Sequence, residues 1–193
     1  MANEIKKDFG VTTVFKELPI ITVSSDHNSE DFDCGEPARN VWLCNRALSN
    51  QRSDDTRTYV AAEGVEIFGF YALAVSSIVR DALPSSMRRN APDPVSCVLL
   101  AQLGVDLRYQ QHGIGRQLVL HAMAQATRIA ELAGCRLFAV SPSGQNLVPY
   151  YRRYGFVETQ ATPPLMTMHL QKVRATLAAV ADTKAAHNRS DHR

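Results

Sequence analysis

Cysteine is scarce in this chain, and what there is of it is badly placed for chemistry. The 193 residues include four cysteines, Cys34, Cys44, Cys97 and Cys135, with no C-x-x-C pair and no histidine at zinc-ligand spacing. That excludes a sequence-coded zinc site and a disulfide framework, calls for no metal, and leaves the thiols as small side chains in a reducing compartment. A surplus of either charge is also missing. A net charge of +2 is too slight to drive non-specific nucleic-acid binding, so any basic patch must be local. Long apolar runs are absent too: the longest, Phe68 to Val79, is broken by serines and too short to cross a bilayer. The start, Met1-Ala2-Asn3-Glu4-Ile5-Lys6-Lys7-Asp8, lacks the apolar run of a leader peptide, and a cytoplasmic protein without membrane association is expected. No internal repeat is evident.

What remains is a hydrophobic content of 45%, enough for one packed domain in a chain of this length. The patterning divides it into an extension over residues 1–18, a domain over 19–171 and a tail over 172–193, weakly helical at first and disordered in its polar end from Ala186. Within the domain, Pro19 to Val23 reads as a strand. Glu36-Pro37 opens a helix carrying Val41, Trp42, Leu43, Cys44, Ala47 and Leu48, with Trp42 in the core. Thr58–Ala62 and Ile67–Val75 flank a glycine-bearing turn as a hairpin. Ser76 to Val95 holds Pro84, Pro92 and Pro94 among charged residues and reads as a long surface loop with a helical turn.

The next stretch organises the rest. Ser96 to Val105 is a continuous apolar strand that runs through Asp106 into Gln110-Gln111-His112-Gly113-Ile114-Gly115-Arg116. Ile114, Leu118, Ala122, Ala126, Ile129 and Ala133 then mark one face of a helix closed by Gly134, and Cys135 to Val140 returns as a buried strand. A strand, helix and strand joined by such a crossover pair in parallel. The start of the helix offers unpartnered backbone N–H groups and a partial positive charge, which suits a pyrophosphate. Asn146 to Tyr154 reads as a short helix ended by Gly155, with closing strands at Phe156–Thr159 and Met166–Leu170.

The strand ending in Val105-Asp106, the Gln110-x-x-Gly113-x-Gly115 turn and the downstream Tyr150-Tyr151-Arg152-Arg153-Tyr154-Gly155-Phe156 together resemble the GNAT acetyltransferase superfamily. Its members carry an R/Q-x-x-G-x-G/A acetyl-CoA motif and a Tyr-x-x-x-Gly-Phe signature at about this separation. Gly35-Glu36 with Trp42-Leu43, Asn50-Gln51, Arg57–Val60, Gly69–Leu73 and Arg88-Arg89-Asn90-Ala91-Pro92-Asp93-Pro94 are similar to the tRNA-acetylating toxins (TacT/AtaT-like) of bacterial toxin–antitoxin pairs. The resemblance covers residues 19–170. It implies an α/β (α+β) fold with a single mixed sheet of about six or seven strands flanked by helices. It also implies acetyl-CoA as co-substrate, acetylation of the α-amine of an aminoacyl-tRNA that blocks translation, a ribbon-helix-helix antitoxin and a homodimer.

Residue by residue, the resemblance assigns Tyr151 the proton for the departing thiolate, with Tyr150, Tyr154 and Phe156 as packing. Leu103, Gly104 and Val105 would pair with the pantetheine arm through their backbone, Gly104 admitting a bulge. Gln110, Gln111, His112, Gly113, Ile114, Gly115 and Arg116 form the pyrophosphate turn, with Asn146 a further candidate ligand. Asp106 is placed to terminate the strand and His112 to line the phosphate turn, so neither is given a proton, and the α-amine of an aminoacyl ester, substantially neutral near pH ~7, needs no base. Arg46, Arg52, Arg80, Arg88 and Arg89 are the candidate tRNA contacts, opposed by Asp54, Asp55, Asp81 and Asp93. Two departures stand out: Gln111 where many relatives have glycine, expected to weaken cofactor binding, and Gly144 where many have asparagine. A GNAT enzyme acting on a small amine or protein N-terminus, and a non-catalytic acetyl-CoA-binding module, are the alternatives.

Overall fold

The computed structural model describes residues 18–190, with side chains to Thr183. The expected extension over residues 1–18 therefore lies, apart from Leu18, outside the described residues, as does the end of the tail. One sheet of seven strands organises the chain: β1 (Ile20–Thr22), β2 (Arg57–Glu63), β3 (Glu66–Ile78), β4 (Val95–Val105), β5 (Leu137–Val140), β6 (Val157–Glu158) and β7 (Met166–His169), in the order β1-β2-β3-β4-β5-β7-β6. Every pairing is antiparallel except β4 with β5. The sheet is mixed because the β4-to-β5 connection is a crossover helix, α4 (Ile114–Ala133), whereas the tight Glu63–Glu66 turn permits only a hairpin.

Helices cover both faces. On one side α1 (Pro37–Asn45) and α2 (Ala47–Arg52) close a core of Phe32, Leu43, Ala47, Val60, Ile67 and Phe70. The sequence pattern reads as one helix; the chain breaks it at Arg46, whose backbone leaves the helical region. Trp42, expected in the core, lies half-buried at its rim, stacked on Phe70 at 6.0 Å. On the other side α4 buries Ile114, Leu118, Val119, Ala122, Met123 and Ala126 against the sheet. Its close approach depends on Gly69 of β3, where a Cβ would come within 2.9 Å of Leu118 Cδ1 and 3.0 Å of the Gly104 carbonyl oxygen. Leu170 and Val173, both fully covered, dock α6 (Leu170–Ser190) in the same core. The segment read as weakly helical is thus a long helix held by apolar contacts, and it continues through the residues from Ala186 that were expected to be disordered, to Ser190.

The loop expected between Ser76 and Val95 is shorter than read. β3 runs to Ile78, and the connection contains a 3-10 turn at Arg80–Ala82 and a short helix, α3 (Ser85–Arg88), over a small core of Leu83, Met87 and Ala91. A last helix, α5 (Val148–Arg152), follows a 3-10 turn at Gln145–Leu147.

Candidate active site

The parallel ladder between β4 and β5 stops early. Cys97 to Leu100 pair with Leu137 to Val140, after which β5 ends while β4 continues to Val105. The β4 register against β3 slips at the same place: Ala72 faces Gln102 and Leu73 faces Leu100, so Ala101 is the extra residue of a bulge. The bulge expected at Gly104 therefore sits at Ala101. Gly104 has another use, since Phe70, Arg39 and Cys34 all close on the space a side chain there would fill. Beyond the bulge, β4 offers its β5-side edge to a cleft of about 1050 Å³.

The cleft brings together most of the sequence-predicted binding residues: Leu103, Gly104, Val105, Gln110, Gln111, Gly113, Gly115, Arg116 and Asn146 all line it. His112 and Ile114 do not. Ile114 is buried under the sheet, as its place on the apolar face of α4 requires. The turn before α4 is built by backbone. Gly113 is the N-cap at φ 84°, in the left-handed region, and with no side-chain cap among the described residues the first-turn N–H groups beside Gly113, Gly115 and Arg116 of the cleft lining are left to a ligand or solvent. A Cβ on Gly113 would meet nothing within 4 Å, which leaves room for a ligand to approach the backbone. Gln111 adopts φ 65°, a conformation that costs a side-chain-bearing residue about 1 kcal/mol. The Gln110 amide donates to the carbonyls of Val105 at 3.0 Å and Cys34 at 3.3 Å, so it braces the turn.

Tyr151, on α5, is 5% exposed and packs against Tyr150 and Phe156 at ring separations of 5.2 and 5.9 Å. Its hydroxyl has no hydrogen-bond partner among the described residues, and it lines the cleft. Burial pushes its phenol up to about 12 against a smaller opposing pull from Arg39. It is thus fully protonated in the neutral range. Tyr150, raised by burial and by Tyr154, lines the cleft too, with its hydroxyl accepting from Tyr154 at 3.4 Å and Arg153 stacked over its ring at 4.8 Å.

None of the five candidate tRNA arginines lines the cleft. Arg46, Arg52, Arg80 and Arg89 are exposed, whereas Arg88 is half-buried and donates from Nε to the Leu83 carbonyl at 2.6 Å. Arg88 is thereby committed to the α3 turn. Asp106, 1% exposed, is tied to Arg108 by bonds of 2.8 and 2.9 Å and accepts from the Asp33 amide, which fits a strand terminator. Among the described residues no cluster of three or more metal-ligating side chains occurs, and no helix is long and apolar enough to cross a membrane.

A family model described as an acetyltransferase (GNAT) domain matches residues 54–158, which include β4, the turn, α4, β5 and α5. A tRNA-acetylating toxin of Mycobacterium tuberculosis is 33% identical over 150 residues, 78% of this chain and 90% of the relative. The chain belongs to the GNAT acetyltransferase family. Its fold superposes on AtaT complexed with acetyl-methionyl-tRNAfMet with a TM-score of 0.75 at 24% identity, covering 82% of this chain and 98% of that one. AtaTR bound with AcCoA matches with a TM-score of 0.71 at 25% identity, covering 82% and 96%. The expected mixed sheet flanked by helices is the GNAT architecture these structures share.

In this GNAT domain, sequence reasoning overlooked several cleft residues. Arg39 and Gln102 stand at one end, linked by a bond of 3.4 Å from Arg39 Nε. Arg39 falls within an ordinary amphipathic helix, and only its spacing of three residues after Glu36 and five after Cys34 put it on the cleft side. Thr176 and Val180 of α6 line the cleft as well; an alanine-rich segment with no motif carried no signal for them.

Proposed function

We propose that the protein transfers the acetyl group of acetyl-CoA to the α-amine of an aminoacyl-tRNA and thereby acts as a toxin that blocks translation. The observation that carries the chemistry is the Tyr151 hydroxyl, without a partner among the described residues and open to the cleft that Ala101 of the β4 bulge also lines. The kinship with a tRNA-acetylating toxin carries the choice of acceptor. The residues suit the co-substrate: the open first turn of α4 takes a pyrophosphate, and the free edge of β4 pairs with the amides of a pantetheine arm.

With acetyl-CoA so held, the acceptor amine adds to the thioester carbonyl carbon and the amine's surplus proton leaves to solvent. Backbone N–H groups at the bulge, rigid and already oriented, stabilise the charge that builds on the carbonyl oxygen. As the C–S bond breaks, Tyr151 gives its proton to the departing sulfur. A phenol near 12 is a weaker acid than a thiol near ~8.5, so the transfer is driven by fixed position and by charge accumulating on sulfur. The resulting tyrosinate recovers its proton from water. An amine of an aminoacyl ester needs no base, in agreement with Asp106 being locked to Arg108.

Arg46, Arg52, Arg80 and Arg89 form the proposed electrostatic footprint for the tRNA, and a ribbon-helix-helix antitoxin and a homodimer complete the proposal. The deciding experiment is incubation with labelled acetyl-CoA and a mixture of charged and uncharged tRNA. Label should appear on charged tRNA only and be released with the amino acid. Label on uncharged tRNA, or only on free amines, refutes the reading.

A further inference from the structure

Among the described residues, Arg39 has no ion-pair partner. It lies on α1, lines the cleft beside Cys34, Glu36 and Gln102, and is half-buried. Its side chain makes a long contact from Nε to Gln102 and a weak one to the Cys34 thiol, and among the described residues no carboxylate forms an ion pair with it. Of the nearby acids, Asp33 accepts from the Gly35 amide at 2.8 Å and the Asn40 side-chain amide at 2.8 Å, and Glu36, which lines the same cleft, forms no ion pair with Arg39. The stem is steered into this place by Gly104, where a Cβ would meet Arg39 Cδ at 3.1 Å. Gly104 looks toward Phe70 and Cys34 on the α1–α2 face of the sheet, whereas Tyr151 packs in the core on the α4 face. The two side chains therefore close on the cleft from opposite faces.

A partly desolvated guanidinium with most of its donors unspent costs free energy until an anion meets it. We propose that Arg39 receives an oxyanion carried by the acyl acceptor, beside its reacting amine. This inference rests on the acceptor being an aminoacyl-tRNA. Such a substrate carries an oxyanion in two places, the carboxylate of an acidic aminoacyl side chain and the phosphodiester next to the terminal adenosine, and the planar fork fits either bidentately.

The test compares wild type, Arg39→Gln and Arg39→Lys on tRNAs charged with aspartate, glutamate or neutral residues, and on phosphate-free aminoacyl adenosine, with acetyl-CoA affinity and melting midpoint measured in parallel. Arg39→Gln should lose about tenfold to a hundredfold in kcat/KM, mostly in KM, with Arg39→Lys recovering part of it and acetyl-CoA affinity unchanged. Loss confined to acidic aminoacyl groups assigns the carboxylate; loss on every charged tRNA but not on aminoacyl adenosine assigns the phosphodiester. Equal loss on neutral aminoacyl adenosine, weaker acetyl-CoA binding, or activity within about twofold of wild type throughout overturns the proposal. A wild type that acetylates no aminoacyl substrate overturns this inference and the proposed function together, whereas an active wild type matched by Arg39→Gln overturns this one alone.

Discussion

Tyr151→Phe removes a single oxygen atom, and the structure separates its two consequences. The ring contacts with Tyr150 and Phe156 survive. The lost hydroxyl leaves no orphan, because nothing among the described residues bonds to it. Removing a hydroxyl that opens onto the cleft and has no partner among the described residues should leave stability within about 0.5 kcal/mol. Transfer should fall. Loss of a positioned acid reduces the chemical step by about 10²–10⁴, or roughly 3–5 kcal/mol. With the phenol held near 12, the wild-type hydroxyl stays protonated from about pH 7 to about pH 9, so the deficit should be the same at each end of that range. Single-turnover transfer from labelled acetyl-CoA, calorimetric acetyl-CoA affinity and a thermal melt give the three numbers needed. A variant within about threefold of wild type, or one whose lost activity comes with a lowered melting point, refutes the reasoning.

Gly69→Ala should lower the urea midpoint by the equivalent of about 1–3 kcal/mol, since the new methyl meets Leu118 Cδ1 at 2.9 Å and the rigid Gly104 carbonyl at 3.0 Å; an unchanged midpoint would refute that packing. Asp106 feels burial most, which raises its carboxyl, but bonds from the Arg108 side chain and the Arg108 and Asp33 amides together hold it below the ordinary range. Its contribution is thus present above the unfolded value near ~3.9 and lost as pH falls through the folded one, so Asp106→Asn should flatten the acid limb of stability below about pH 4, and an unchanged slope counts against it. Arg88→Ala should cost about 1 kcal/mol of stability without altering the salt dependence of tRNA acetylation, while Arg89→Ala should leave stability alone and reduce the salt slope by about 1; the reverse assignment would show that Arg88 is the phosphate contact.

Periodicity carried the reading of the sheet and of α4 because each of these elements buries one regular face, and the register of Ile114, Leu118, Ala122 and Ala126 admits little else. It failed where tertiary contact overrode local pattern. The break at Arg46 leaves apolar residues on both sides, so a single helix reads equally well. The Ala101 bulge is invisible because an extra residue in an apolar run disturbs no alternation that both faces bury. The docking of α6 through Leu170 and Val173 depends on a surface of α4 that no local window contains. The turn at Gly113 and Gly115 was legible as a helix opening from its glycines, and its reading as a pyrophosphate site drew on the downstream Tyr-x-x-x-Gly-Phe segment as well as on helix-start chemistry. The strain at Gln111 was not, since a side chain in left-handed backbone is a property of the folded loop. Arg39 shows the sharpest limit: a cation among helical surface residues acquires meaning only when Gly104, far along the chain, supplies the space it crosses.

The premature end of β5 also bears on how the protein exists between turnovers. A sheet protein ordinarily hides its unpaired edges at its margins, but here one opens in the middle, where Ala101 to Val105 carry backbone groups that β5 no longer reaches. A pantetheine arm laid along that edge, as proposed, would take the place of a neighbouring strand. The amides of that short run should then be the slowest-exchanging new feature of the loaded protein, and their protection would count loaded molecules directly.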